Sequence, residues 1–283
     1  SLLHSAETPM NGAMVSANCS DHPLHNAVIV EPSKLQGAVL KNAMLQAGAQ
    51  SVQVLAGLEI ARQILSQEPP DLLVTAMQLT DGNGVDLIRS ISEGSRLART
   101  TVVLNSSDST IEELSSVGRA ACLILAPKKI RPEEILRVAH AAGPCIVQSG
   151  ALAEPIDPAM LRLKIVLDSG RLPDVLAEMI RELKLLDVEV STSSTSSTAL
   201  ETLVAGAPSA DLTLLLRREP PSSENGFLAA AALRSFESGS MSAAIQFDQG
   251  KLHLRAVMQN HIIAVCNRTL DLPRLVCLLQ GCR

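Results

Sequence analysis

From residue 26 onward, short apolar runs alternate with amphipathic segments, and this alternation constrains the fold more than any other feature. The runs have the length of buried strands and are AVIVE (27–31), SVQVLAG (51–57), DLLVTA (71–76), TVVLN (101–105) and ACLILA (121–126). Between them, apolar residues recur at helical spacing, for example at Leu35, Val39, Met44 and Leu45. Strands that are apolar on both faces and alternate with helices predict a doubly wound parallel sheet. We therefore predict an α/β, flavodoxin-like domain with a five-stranded parallel sheet over residues 26–142.

A weaker second round of the same pattern follows a Gly-, Pro- and Ala-containing linker at 143–160. Its strand-like and helix-like segments are LKIVLDS (163–169), LPDVLAEMIREL (172–183), DVEVS (187–191) and DLTLLL (211–216). The first and third strands are spaced alike in both halves, which indicates an internal repeat. We predict a second five-stranded flavodoxin-like domain over 161–283, and a polar N-terminal tether over 1–25 in which His22 and His25 are solvated.

The segment 241–266 admits two interpretations. It fits a strand, a short helix and a strand, as the repeat requires. It equally fits three antiparallel strands, because KLHLRAV alternates polar and apolar residues and DQG is typical of a hairpin turn. The second interpretation resembles the end of a roadblock-type dimerisation domain. We favour the repeat, because 163–216 fits it best.

Composition and charge exclude several classes of partner. The chain has no Trp, no Tyr and only three Phe, so it lacks the aromatic platforms that bind single-stranded nucleic acid. Its net charge of −5 and the absence of a basic run argue against binding to a phosphate backbone. The six cysteines form no Cys-x-x-Cys pair, and the four that lie in or beside apolar runs are expected to be buried apolar residues, in a reducing cytoplasm. We expect no cofactor and no metal.

No apolar stretch is long enough to cross a bilayer. We therefore expect no direct contact with a membrane and a cytoplasmic location. Because the chain begins and ends abruptly, we also expect it to be a fragment of a larger protein, which could itself be membrane-anchored.

Two stretches have the order of sequence features that is typical of a known family: PDLLVTAMQLTDGNGVDLI (70–88) and APKKIRPEEIL (126–136). The first is a strand, a loop closing on glycine and a helix; the second is a strand, a lysine and a helix. They resemble the receiver domain of bacterial two-component response regulators. The resemblance implies a carboxylate nucleophile at the end of the third strand, an acidic pair that holds Mg²⁺, and a hydroxyl and a lysine that detect the phosphoryl group.

In the first half the resemblance places Ala76 where the phosphoacceptor would be. The acidic pair falls on Glu31 and Pro32, and the hydroxyl position on Asn105. The lysine is kept as Lys128. An alanine has no oxygen with which to attack a phosphoryl donor, so we expect no phosphorylation by the usual route.

In the second half the same correspondence is more degenerate. The acceptor position falls on Leu216, the surviving acidic residue is Asp168, and the lysine position falls on Arg268. Pro220 fits the proline that follows the acceptor in the family. The resemblance therefore implies two degenerate receivers in tandem, neither of them an enzyme.

Two further features carry alternatives. Asp81 could be a displaced acceptor, but its Asp-Gly setting favours an ordinary turn. The pair Lys128 and Lys129, with Arg131, could bind an anion such as a cyclic dinucleotide, which would make the chain a ligand sensor.

We favour an interaction module of a two-component hybrid kinase or regulator that works without phosphorylation. Its partner would be a kinase, a regulator or a second copy, in a homodimer. The expected docking face comprises segments 109–118, 121–126, 132–142 and 261–280, because receivers dock through their fourth helix, fifth strand and fifth helix.

Overall fold

A computed structural model describes residues 22–92, 97–106, 120–147, 156–192, 210–218 and 240–282. The strands are β1 (His22–Pro23), β2 (Asn26–Val30), β3 (Ser51–Leu55), β4 (Leu72–Ala76), β5 (Thr101–Asn105), β6 (Cys122–Ala126), β7 (Cys145–Ile146), β8 (Arg162–Leu167), β9 (Asp187–Thr192), β10 (Leu212–Arg217), β11 (Met241–Asp248), β12 (Lys251–Gln259) and β13 (Ile262–Thr269). The helices are α1 (Lys34–Gln46), α2 (Leu58–Gln67), α3 (Gly84–Ser92), α4 (Pro132–Ala142), α5 (Asp174–Glu182) and α6 (Leu272–Gly281), with a short 3₁₀ helix at Pro158–Met160. The predicted segment 109–118 and Pro220 lie outside these residues.

The first half has the predicted alternation of parallel strands and helices. Its strands pair in parallel in the order β3-β2-β4-β5-β6, which is second-first-third-fourth-fifth along the chain. This is the flavodoxin-like order, which is also the order of receiver domains. The strands β4, β5 and β6 are buried at every position, as their uniformly apolar runs predicted.

An aspartate that precedes the third strand of each half supports the internal repeat. Asp71 accepts hydrogen bonds from the backbone of His25 and Asn26 at the start of the first strand. Asp211 accepts the equivalent bond from the backbone N–H of Arg162, at 2.8 Å. Each aspartate also uses its own carbonyl to accept a bond from the first residue of the fourth strand. The first, third and fourth strands of the two halves are therefore joined by equivalent aspartate contacts.

The second half departs from a five-stranded parallel sheet after its fourth strand. Strands β9, β8, β10 and β11 are parallel neighbours, but β12 and β13 continue as an antiparallel meander. The interpretation of 241–266 as strand, helix and strand is therefore wrong. The two hairpin turns explain the outcome, because Gln249 and Gly250 in one, and Asn260 and His261 in the other, have the positive φ of tight two-residue turns.

The two halves share one sheet. Strand β13 pairs antiparallel with β6, giving eleven strands in the order β3-β2-β4-β5-β6-β13-β12-β11-β10-β8-β9. Three successive antiparallel pairings separate β6 from β11. The parallel strands of the two halves consequently run in opposite directions, and their carboxyl ends lie at opposite edges of the sheet. One hydrophobic cluster, which includes Ile29, Ile124, Leu254 and Leu278, extends through both halves.

Helix α1 buries a different face from the one that its periodicity suggested. Its buried residues are Gly37, Leu40, Ala43 and Met44. Leu35, Val39 and Leu45 are exposed. A Cβ at residue 37 would lie 2.8 Å from Cγ1 of Val54, so the glycine lets β3 approach the helix closely. Helix α1 thus has two apolar stripes, one of them facing outward.

The N-terminal boundary also differs from prediction. Residues 22–23, assigned to a solvated tether, pair in parallel with Cys145–Ile146 of the expected linker. Nε2 of His22 lies 2.8 Å from Oδ1 of Asp71, so this imidazole is held against the sheet. His25 donates its backbone N–H to the same carboxylate. The folded first half therefore includes residues 22–25, which were assigned to the tether.

Cysteines 122, 266 and 277 are buried, as expected of small apolar residues. Burial raises the pKa of the Cys266 thiol to about 12, which keeps it in the neutral, unreactive form. No helix in the described part of the chain is long and apolar enough to span a membrane.

Candidate functional site

The predicted acceptor position of the first half lies in one register row at the carboxyl edge of the sheet. Ala76 is paired with Asn105, and Asn105 with Ala126. Glu31 directly follows β2, and Lys128 follows β6, so the structure brings all the predicted receiver positions of this half to one edge. Ala76 and Asn105 are 7% exposed. The row presents a methyl group where a nucleophilic carboxylate would be needed.

Two carboxylates of the first half, those of Glu31 and Asp81, have structural contacts. Glu31 accepts a hydrogen bond from the backbone N–H of Ser33 at 2.9 Å, next to the start of α1. Asp81 accepts bonds from the backbone N–H groups of Leu58 and Glu59, at 2.5 and 3.1 Å, and so caps the N-terminus of α2. These two bonds hold the pKa of the Asp81 carboxyl below its usual value. Asp81 therefore serves as the cap of α2.

Receiver chemistry also needs Mg²⁺, and the residues at this edge do not fit that ion. Mg²⁺ requires several oxygen ligands in near-octahedral geometry. Pro32 and Ala76 offer no side-chain oxygen, which leaves Glu31 as the single carboxylate of the three. Among the described residues, no group of three or more His, Cys, Asp or Glu side chains is arranged to hold a metal.

The basic residues at the same edge are accessible. Lys128 and Lys129 are both exposed in the turn between β6 and α4. Arg131 is also exposed, and its guanidinium lies 3.5 Å from the carboxylate of Glu134. The two lysines thus project toward solvent, as required of the anion-binding pair predicted from the sequence, although their exposure alone assigns them no ligand.

At the opposite edge, Asp168 follows β8 and stabilises a loop. Its Oδ2 accepts the backbone N–H of Arg218 at 2.9 Å. The Arg218 side chain returns across this loop to donate to the carbonyls of Ser169 and Arg171, at 3.2 and 2.5 Å. Its guanidinium also lies 5.1 Å from the centre of the Phe247 ring. Asp168 and Arg218 therefore fasten the loop that follows β8 to the end of β10.

Arg268 does not recreate the receiver lysine. Leu216 and Arg268 share a register row, but Ile245 and Leu254 lie between them. Three strand spacings put the backbones about 14 Å apart. The acceptor and lysine strands of the first half, β4 and β6, are only two spacings apart. The inserted antiparallel strand β12 is the cause of the extra distance.

The predicted docking face is occupied from within the chain. Strand β6 pairs on its outer edge with β13, through Leu125 with Ile263 and Ile124 with Ala264. Helix α4 packs against α6 and the meander. The predicted segments 121–126, 132–142 and 261–280 are therefore in contact with one another, and the free edge of β6 is taken up by β13 of the same chain.

Polar contacts hold both ends of α4 to the second half. At its N-terminus, Glu134 accepts a hydrogen bond from the side chain of Asn260 at 2.9 Å. At its C-terminus, Arg274 donates to the carbonyls of His140 and Ala141, at 2.9 and 3.1 Å. The imidazole Nε2 of His140 lies 2.9 Å from Oε1 of Gln280. We call this set of contacts, together with the β6–β13 pairing, the inter-half junction.

Glu134 makes the junction sensitive to acid. Burial of its carboxylate would raise its pKa, but hydrogen bonds from the Arg131 backbone and the Asn260 side chain outweigh burial and lower it below the usual 4.5. A pKa that is lower in the folded protein gives stability that is present above the unfolded value and lost as the pH falls through the folded value.

We therefore expect the Glu134→Gln variant to lose on the order of 1 kcal/mol of unfolding free energy at neutral pH. The loss should begin to shrink as the pH falls below about 4.5, where the carboxylate of the unfolded chain is protonated, and should vanish once the pH lies below the lower pKa of the folded protein. Urea denaturation of both proteins over this pH range measures the difference. A constant gap between the two proteins at every pH would contradict the assigned role.

Sequence reasoning missed the junction residues. Arg274, His140 and Asn260 lie in unrelated segments, and no local pattern connects them. One signal was present for Glu134, which is the third residue of a helix that begins with proline and therefore a candidate to cap its own N-terminus.

No protein-family model and no curated protein matches the sequence. Among solved structures, the chain is similar to the chemotaxis response regulator CheY4 of Vibrio cholerae, with 17% identity over 39% of this chain and 91% of that one, and a TM-score of 0.35. It is also similar to the receiver domain of NtrC, with 19% identity, 41% and 90% coverage and a TM-score of 0.30.

A third similar structure is a probable two-component system response regulator/GGDEF domain protein, with 16% identity, 79% and 93% coverage and a TM-score of 0.33. All three TM-scores are below 0.5, so these similarities show no function for this chain. The receiver-like description of the first half accordingly rests on its strand order and on the register row at its carboxyl edge.

Proposed function

We propose that the chain is a non-catalytic interaction module of two-component signalling, in which two receiver-like halves act without phosphorylation. The observation that carries the proposal is the row formed by Ala76, Asn105 and Ala126, which occupies the acceptor edge without a carboxylate. The fixed contacts of Asp81 and Asp168 support it, because these carboxylates already stabilise a helix and a loop.

The junction fixes the two halves of such a module to each other. In a receiver that works as a switch, the face of the fourth helix, fifth strand and fifth helix changes partners. Here β6 and α4 are bound to β13 and α6 of the same chain. The module therefore presents fixed surfaces to its partner, and its signalling role would depend on which surfaces remain open.

Treatment with a small phosphodonor and Mg²⁺, followed by intact-mass measurement, tests the loss of chemistry. We expect no phosphoryl group on the wild-type protein. The double variant Ala76→Asp/Pro32→Asp restores the acceptor and the acidic pair beside Lys128, and we expect it to gain one phosphoryl group.

The single variant Ala76→Asp is the matched control. It should stay unmodified, because Glu31 alone cannot hold the metal against the new carboxylate. Phosphorylation of the wild-type protein at Glu31 or Asp81 would overturn the proposal.

A further inference from the structure

The two ends of the eleven-stranded sheet carry most of the large exposed apolar side chains in the described residues. One end is formed by α1 and the edge strand β3, and we call it the α1 end. The other is formed by α5 and the edge strand β9, and we call it the α5 end. Their exposed apolar residues are Leu35, Val39, Leu45 and Val54 at the α1 end and Val175, Leu186 and Val190 at the α5 end.

The exposed stripe of α1 is unusual for a surface helix. At 100° per residue, Leu35, Val39 and Leu45 fall within an arc of about 120° on the face opposite the buried stripe. Leu35 is 76% exposed, and Val39 is 49% exposed. A helix that is apolar on two faces is expected to bury both.

The charges at the two ends are opposite. Helix α1 and strand β3 carry Lys34 and Lys41 and no acidic residue. Helix α5 and strand β9 carry five carboxylates and Arg181, with Lys184 in the turn between them. The carboxylates belong to Asp174, Glu178, Glu182, Asp187 and Glu189. Two of them are paired within the chain, Asp174 with Arg171 and Glu189 with Lys164. The α5 end thus keeps a small excess of negative charge, which favours contact with the positively charged α1 end over contact with a copy of itself.

We infer that the partner of the α1 end is the α5 end of a second copy of this chain. The contact joins two different surfaces, so it is head-to-tail and leaves a free end on each outer copy. Because the two ends lie at the two opposite edge strands of one sheet, β3 and β9, further copies can add in the same way. The inference rests on the proposed role as an interaction module and identifies its partner.

The test is the mass of the protein in solution as a function of concentration, by sedimentation velocity. We expect the mass of the wild-type chain to rise beyond that of a dimer as the concentration increases, and to fall with added salt because the end charges are exposed. A wild-type chain that stays monomeric throughout would overturn the inference.

Two variants block one end each. Leu35→Ser/Val39→Ser removes apolar area from the α1 end, and Leu186→Ser/Val190→Ser removes it from the α5 end. Each variant alone should associate about tenfold more weakly or worse, since both lose buried apolar area. Met160→Ser is the control, because Met160 is 75% exposed in the 3₁₀ helix before β8 and should leave the association unchanged.

Mixing the two blocked variants distinguishes head-to-tail from symmetric association. Each retains one intact end, so the mixture should form a 1:1 dimer and nothing larger. Association that is lost with the α1-end variant but kept with the α5-end variant would show a symmetric contact between α1 helices and would overturn the inference. Failure here leaves the phosphodonor experiment unaffected, so the two proposals can fail separately.

Discussion

The Arg274→Ala variant is expected to lose about 2–4 kcal/mol of unfolding free energy. Arg274 is 2% exposed and donates to two carbonyls at the C-terminal end of α4, those of His140 and Ala141. Without the guanidinium, each buried carbonyl loses a charged donor, at about 1–3 kcal/mol per unsatisfied group. The positive charge also suits the C-terminal end of a helix, where the macrodipole is negative. Urea denaturation followed by far-UV circular dichroism measures the loss.

The controls for Arg274 separate its hydrogen bonds from its packing. Arg274→Met keeps most of the aliphatic volume and removes the hydrogen-bond donors. Its free energy of unfolding should therefore be closer to that of Arg274→Ala than to that of the wild-type protein. Arg89→Ala removes an exposed arginine whose ion pair with Asp86 is of the i, i+3 type, and should cost about 0.5 kcal/mol or less. A loss below about 1 kcal/mol for Arg274→Ala would mean that the junction does not depend on this contact.

A loss of this size would affect the whole protein, because typical stabilities are only about 5–15 kcal/mol. The hydrophobic cluster that contains Ile29 also contains Leu278 of α6, so the halves share a core. A weakened junction should therefore lower the midpoint of a single transition. Two separate transitions would indicate that each half unfolds alone.

Most of the first half could be predicted from the sequence, since each strand carries its own signal. The runs at 71–76, 101–105 and 121–126 are apolar throughout, as strands buried on both faces must be, and they became β4, β5 and β6. The acceptor row could be located for the same reason, because Ala76 and Asn105 end strands whose order the fold dictates.

The meander was one of the two interpretations that its own sequence allowed, but its pairing with β6 could not be predicted, because that pairing is non-local. KLHLRAV has the period of a strand, but the partner that completes β13 is β6, far away in the sequence. A pattern within 241–266 contains no information about an edge offered by residues 122–126. The occupied docking face was missed for this reason.

The orientation of α1 could not be predicted from the sequence for a different reason. Its sequence has two apolar stripes, and periodicity alone does not say which one faces the sheet. Gly37 decides it, since a side chain there would collide with Val54 unless β3 moved away. The buried stripe is therefore the one that contains the glycine, and the larger residues Leu35 and Val39 face outward.

The variant Ala264→Pro, which disrupts the strand pairing at the junction, is the second change that we expect to lower the free energy of unfolding strongly. Ala264 is fully buried in β13, between Ile124 of β6 and Val257 of β12. Proline removes a ladder donor and fixes φ in the interior of a sheet, where it is essentially never found. We expect a loss of about 3 kcal/mol or more in urea denaturation.

The matched control at the same position is Ala264→Gly, which keeps the N–H and should cost about 1 kcal/mol or less. Hydrogen exchange then locates the damage. In the proline variant, amide protection should fall in β6 (Cys122–Ala126) more than in β2 (Asn26–Val30), because β6 relies on β13 for one of its two neighbours whereas β2 lies between β3 and β4. The contrary result is that β6 keeps its amide protection while the meander loses it. The first half would then hold β6 in place without help from the second half. The junction would be a contact between independent halves rather than part of one sheet.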